Sequence, residues 1–175
     1  AAQRRISFDQ LLINQLQAIG RRQNWIQGQA LELSEESATK TFIDSLPFPL
    51  TTAQIRSLAE IRADLTKSAP MARLLEGDVG SGKTVVALSA MLSAIESGTQ
   101  AVLMAPTEVL AEQHYRTILK LLADKETGSE LLQGMVDTPG FDRPLRVVLL
   151  TGSTKGKDRT AAIELLKHGG ADIAV

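Results

Sequence analysis

Cysteine does not occur anywhere in the 175 residues. That absence excludes a disulfide scaffold, thiolate zinc sites, iron–sulfur clusters and a cysteine nucleophile. Histidine is almost missing too: with only His114 and His168, a His-rich metal site is not expected. No sign of charge dominates. The 19 Lys and Arg face 20 Asp and Glu, for a formal net charge of −1, which argues against a polybasic protein but leaves room for a local basic patch. No apolar run reaches the ~18 residues of a membrane span. The opening Ala1-Ala2-Gln3-Arg4-Arg5 lacks a signal-peptide core. A cytoplasmic protein with no membrane partner is expected. The chain opens without Met and closes on Val175 directly after an apolar stretch, so a piece of a longer protein is also expected.

What is present is ordinary globular composition, 43% hydrophobic and 22% charged, in a length that suits one domain with a small appendage. Two regions differ in character. In residues 1–46, Phe8, Leu11, Leu12, Leu16 and Ile19 fall on one helical face behind an N-cap signal at Ser7. Gly28 marks a break, and a second helix is expected over 35–44. This reads as a helical linker that docks on something else. Residues 47–175 read as alternating helix and strand. Helices are expected over 51–66 (Ile55, Leu58, Ile61 and Leu65 inward), 84–96, 107–123 and 157–167. Strands are expected over 71–76, 100–105, 146–150 and 172–175. Apolar strands without polar alternation, separated by helices, predict a parallel α/β sheet covered on both faces. Residues 124–144, with Gly, Pro and mixed charge, are long for a connection, and a mobile insertion over 125–143 is expected.

One motif carries chemistry. Gly77-Asp78-Val79-Gly80-Ser81-Gly82-Lys83-Thr84 fits the phosphate-binding Walker A pattern, Gly, four residues, then Gly-Lys-Thr. Glycines allow positive φ and close backbone approach, so successive N–H groups can face phosphate oxygens. Lys83 supplies a point charge for the β- and γ-phosphates, and the Thr84 hydroxyl is a candidate Mg²⁺ ligand. The following helix aims its positive end at the phosphates. The predicted strand before the loop and helix after it supply the context the pattern requires. A nucleotide with Mg²⁺ is the expected ligand of this loop; the loop alone does not say which P-loop NTPase it serves, and ATP follows only from the resemblance of the blocks around it.

Four ordered blocks extend the reading. They are Leu46-Pro47-Phe48-Pro49-Leu50-Thr51-Thr52-Ala53-Gln54, the loop with Val85-Val86-Ala87, Met104-Ala105-Pro106-Thr107-Glu108-Val109-Leu110-Ala111-Glu112-Gln113-His114, and Leu150-Thr151-Gly152-Ser153-Thr154-Lys155-Gly156-Lys157. Together these blocks resemble the bacterial RecG-type ATP-dependent DNA helicases of superfamily 2. The resemblance implies a RecA-like motor domain whose N-terminal part occupies residues 47–175. It also implies that 1–46 is the helical connection from a DNA-binding wedge domain that is not in this chain. It assigns adenine recognition to Gln54, a place near the base to Phe48, and phosphate and Mg²⁺ binding to residues 77–84. Thr107, Glu108, Thr151, Gly152, Ser153, Lys155 and Lys157 become contacts to the backbone of branched DNA, bound without sequence preference.

Each residue also has a plainer reading. Thr51 and Gln54 stand at capping-box spacing, so Gln54 can simply cap its helix. Phe48 can be a core plug, Thr107 an N-cap, and Lys155, Lys157 and Arg159 a solvated helix start. Thr107 and Thr151 nevertheless follow predicted parallel strands, where open α/β sheets place ligands. No strand here ends in Asp-Glu, the acidic pair that positions the attacking water, and the second motor domain with its arginine finger is missing. The chain alone is therefore expected to be inactive. The alternatives are a transcription-coupled repair translocase or a P-loop protein that needs no DNA.

Overall fold

The computed structural model describes residues 2–33, 37–123 and 133–175. Along the chain these form α1 (Ala2–Ile26), α2 (Ser37–Ser45), α3 (Thr52–Leu65), α4 (Lys83–Glu96), β1 (Ala101–Val102), α5 (Glu108–Leu122), β2 (Gln133–Val136), β3 (Leu145–Val148), α6 (Gly156–Lys167) and β4 (Ile173–Ala174). One four-stranded sheet runs in the order β1-β4-β3-β2. β4 pairs in parallel with β1 and β3, while β2 pairs antiparallel with β3.

The sheet is covered on both faces because β3 and β4 alternate two sets of apolar residues. Val147, Leu149, Ile173 and Val175 join Leu88 and Leu92 of α4 and Tyr115, Ile118 and Leu122 of α5 in the main core. Val148, on the opposite face, packs with Ala162 of α6, Ala171, Leu165 and Leu166. The expected α/β architecture is present. At β1, an edge strand, the cover is one-sided: Ala101 is buried in the main core, whereas Val102 is 66% exposed and Met104 just after it 92% exposed. The strand expected over 100–105 is correspondingly short, though the Leu103 N–H still donates to the Ala174 carbonyl at 2.8 Å.

Three expectations require correction. Residues 71–76 form no strand, since a strand needs a ladder and no strand among the described residues pairs with this segment. The segment is pinned instead to α3, where Arg73 pairs with Glu60 and Asp64, both at 2.6 Å. Met71 and Leu75 pack toward Val85 and Val86 while Leu74 stays exposed. Ile55 does not point inward. It is 56% exposed in the first half of α3 and lines an open cleft between α2, α3 and α4.

The third correction concerns the insertion. Residues 124–132 of that expectation lie outside the described residues. From Gln133 on, the segment is built into the fold: β2 extends the sheet, Thr138 is buried, and Phe141 packs against the main core. Arg143 donates to Asp172 Oδ2 at 2.9 Å, and Asp172 also accepts from the Arg146 N–H at 2.7 Å. The partner on Asp172 and the short β2 strand were hidden by the Gly, Pro and charge content that suggested a loop.

Residues 1–46 meet the rest of the chain through α2. Phe42 of α2 is fully buried in the main core. Before it, the Ala30 and Leu33 N–H groups donate to the Ser68 and Leu65 carbonyls at the end of α3. α1 is a single helix that runs through Gly20, and Phe8, Leu11, Leu12, Leu16 and Ile19 on its apolar face are exposed.

Candidate nucleotide site and nucleic-acid face

The glycine-rich loop opens α4 in the geometry its sequence implies. Gly80 and Gly82 have φ of 81° and 78°, in the left-handed region that favours glycine. Gly82 is the N-cap of α4 and offers no side chain to its first turn, and that turn holds no acidic residue. The positive end of the α4 dipole thus faces the loop without internal compensation. The Lys83 ammonium reaches back across the loop and donates to the Gly77 carbonyl at 2.7 Å and the Asp78 carbonyl at 2.8 Å. The Ser81 N–H closes the turn onto the Asp78 carbonyl at 3.1 Å. Val79 is wholly exposed at the tip, so its side chain supports nothing there. Thr84, half-buried, is the second residue of α4.

Gln54 does two things at once. Its Oε1 accepts from the Thr51 N–H at 2.8 Å, and the Thr51 hydroxyl accepts from the Gln54 N–H at 3.3 Å, a complete capping box. The Nε2 group then donates to the Ser81 carbonyl at 3.0 Å. A Cβ on Gly82 would collide with that same Nε2. The helix-capping reading is therefore correct and incomplete, because the cap also holds the loop. Phe48 is 44% exposed in the bend between α2 and α3, which removes the core-plug reading.

A second cluster forms where β1 and β3 end. A cleft of about 430 Å³ is lined by Met104, Pro106, Thr107, Glu108, Thr151 and Gly152 among others. Thr107 caps α5, its hydroxyl accepting from the Leu110 N–H at 3.3 Å. Gly152 lies against Glu108, whose Oε1 would be 2.8 Å from a Cβ at that glycine. Thr151 is buried, and its hydroxyl shares hydrogen bonds with Ser153 at 2.8 Å and Thr154 at 3.2 Å. Gly152, Ser153, Lys155 and Lys157 are exposed at the turn into α6. Arg159 is partly committed, donating to the Thr151 carbonyl at 3.4 Å.

The structure brings Thr107, Glu108, Thr151 and Gly152 into one cleft, and the two lysines stand on the helix start beside it. Sequence reading missed Thr154, whose hydroxyl accepts from the buried Thr151 N–H at 3.1 Å and shapes this turn. The Thr-x-x-Thr spacing was the available signal, since such hydroxyls bond back to nearby backbone. It also missed Arg73, which no local pattern connects to Asp64. Hydrogen bonds from Lys67 and then Arg73 hold the Asp64 carboxyl below the usual carboxylate range.

A glycine-rich loop opening a helix on a mostly parallel α/β sheet, with its lysine drawn across the loop, defines the class as a P-loop nucleotide-binding domain. The DEAD/DEAH box helicase family pattern matches residues 51–174, and the chain belongs to that family. It is 41% identical over 99% of its length to the ATP-dependent DNA helicase RecG of Streptococcus pneumoniae, and 42% identical over 99% to that of Bacillus subtilis. Over 86% of the chain it is 47% identical to the RecG of Synechocystis, where it covers 18% of that protein. The chain spans 23% of the length of the first two relatives. A solved structure of RecG bound to a three-way DNA junction superposes on 96% of the chain with a TM-score of 0.77 at 35% identity, covering 21% of that chain. The resemblance read from the four blocks is thereby borne out.

Proposed function

We propose that this chain is the ATP-binding part of a RecG-type DNA helicase and translocase. The intact parent would use ATP with Mg²⁺ to remodel branched DNA at replication forks and recombination intermediates, in the cytoplasm. The observation that carries the reading is the Lys83 ammonium held by the Gly77 and Asp78 carbonyls at the head of an uncapped α4. A cation already at the centre of a loop with left-handed glycines needs only to exchange carbonyl oxygens for phosphate oxygens. The Thr84 hydroxyl, half-buried one residue after Lys83 in the first turn of α4, would be the protein ligand of a nucleotide-bound Mg²⁺. The ion supplies neutralisation of phosphate charge. On this reading Gln54 and the exposed Phe48 meet the adenine, and the hydrogen bond from Gln54 to Ser81 ties base recognition to the loop.

The domain boundary follows the same logic. Residues 1–46 remain the linker, with α2 as its docked end, and 47–175 the start of the first motor domain. Thr107, Glu108, Thr151, Gly152, Ser153, Lys155 and Lys157 form the DNA face. Hydroxyls, backbone N–H groups and lysines suit phosphates rather than base edges, so binding is independent of sequence. No aromatic side chain stands among them to stack on bases. The chain alone hydrolyses no ATP on this reading, since its sequence contains no Asp-Glu pair to position the attacking water.

The test is a full-length parent assayed for ATP hydrolysis and strand separation on a three-way junction. Junction-stimulated hydrolysis that disappears in Lys83→Ala supports the proposal. Hydrolysis indifferent to DNA, or a fully active Lys83→Ala variant, overturns it.

A further inference from the structure

One carboxylate joins α4 to α2. Glu96, the last residue of α4, accepts four hydrogen bonds from the first turn of α2. Its Oε1 takes the Ser37 hydroxyl at 3.0 Å and the Ala38 N–H at 2.7 Å. Its Oε2 takes the Thr39 N–H and the Thr39 hydroxyl, both at 3.1 Å. An ionised carboxylate offers about four acceptor sites, so the group is saturated.

The placement makes sense for the junction rather than for α4. An acidic group at a helix C-terminus opposes that helix's dipole, whereas at an N-terminus it complements the dipole and the unsatisfied N–H groups. Burial works against the ionised form of Glu96, and the hydrogen bonds from Ala38, Thr39 and Ser37 override it, holding the carboxyl below the usual range. Two further contacts fix α2 in the same place. Phe42 is fully buried beneath it. Gly140 approaches so closely that a Cβ there would lie 2.5 Å from the Ala38 carbonyl oxygen. At the other end of the 14-residue α4, about 20 Å away at 1.5 Å per residue, stands Lys83 of the phosphate loop.

We propose that Glu96 is a positioning residue that makes the linker move as one body with the phosphate-loop helix, so that rearrangement of the loop around nucleotide is delivered through α4 to α2. The inference rests on the helicase reading above and adds to it a route by which ATP turnover reaches the segment ahead of the motor. A rigid helix with the loop at one end and a saturated clamp at the other has little freedom to dissipate displacement. Without the carboxylate, α2 would keep its packing through Phe42, Ile43 and the close approach of Gly140, but its first turn would lose the hydrogen-bonded tie to the end of α4.

The test uses the full-length parent with Glu96→Gln, which keeps the size but turns an amide NH₂ toward donors. Junction-stimulated kcat for ATP is expected to stay within about twofold of the wild type, while strands separated per ATP fall about fivefold or more. Hydrogen exchange at the Ala38 and Thr39 amides should rise about tenfold. A Ser37→Ala/Thr39→Val variant, which keeps the carboxylate and both backbone donors, should show a smaller fall in the same ratio. It carries the test if Glu96→Gln does not fold. Raised exchange at Ala38 with an unchanged ratio overturns the inference. So does a parallel loss of hydrolysis and separation, which marks a general structural role. A wild-type parent that hydrolyses ATP but separates no strands overturns the helicase reading itself, and this inference with it.

Discussion

Gln54 and Ser81, 27 positions apart in the chain, are joined by a 3.0 Å hydrogen bond from the glutamine amide to the serine carbonyl. The same glutamine closes the capping box of α3 through its other atom. The beginning of α3 and the phosphate loop therefore form one unit. Further along α3, Glu60 and Asp64 hold Arg73 of the segment that leads into the loop. α3 splints the loop on both sides.

Replacing Gln54 by Ala should weaken two properties together. Loss of the reciprocal cap costs about 1 kcal/mol of stability, which urea unfolding will read. Release of the Ser81 carbonyl should loosen the loop and reduce nucleotide affinity, read by titration. A variant with lowered stability and wild-type affinity would reduce Gln54 to a helix cap.

Phe42→Ala should destabilise the chain by about 3–5 kcal/mol, because a fully buried aromatic leaves a cavity that its neighbours fill only in part. A cost of less than about 1 kcal/mol would mean that α2 is loosely attached to the motor core.

Glu96 gives an acid dependence of definite sign. Its folded-state value lies below the unfolded one, burial being outweighed by the hydrogen bonds from α2. The stabilisation is then complete above the ordinary glutamate value of about 4.3 and is lost as the pH falls through the lower folded-state value. Unfolding midpoints measured from neutral to acid pH should fall more steeply in the wild type than in Glu96→Gln. Coincident acid limbs would show that the clamp carries no such linkage.

Salt dependence separates a DNA track from a solvated helix start. In the intact parent, Lys155→Ala/Lys157→Ala should flatten the slope of log K against log salt by roughly 1.5 units, at 0.7–0.9 per phosphate. A slope that does not move places the track elsewhere on the molecule.

The sequence made the glycine-rich turn, the helices and the two-sided sheet legible because each has a local signature: a glycine spacing, a 3.6-residue period, an unbroken apolar run. What it concealed depends on partners distant in the chain. Residues 71–76 have the composition of a strand, yet a strand exists only beside another strand, and the ladder stops at β1. β2 hides in a stretch rich in turn residues, and the sheet recruits it through its antiparallel pairing with β3. Asp172 looks like a strand-flanking acid until Arg143, 29 positions away, is seen to hold it. The double use of Gln54 is of the same kind. Its spacing to Thr51 announces a cap, and nothing local announces Ser81.

On the proposed function, residues 77–84 bind the phosphates of a nucleotide through Lys83. Calorimetric titration of this chain with Mg²⁺-ADP, wild type beside Lys83→Ala, tests it most directly. Lys83 bonds only to exposed loop carbonyls, so its loss should change stability by no more than about 0.5 kcal/mol. The expected result is measurable heat of binding in the wild type and none in a variant that unfolds at the same urea concentration. Equal binding by the two proteins would contradict the account.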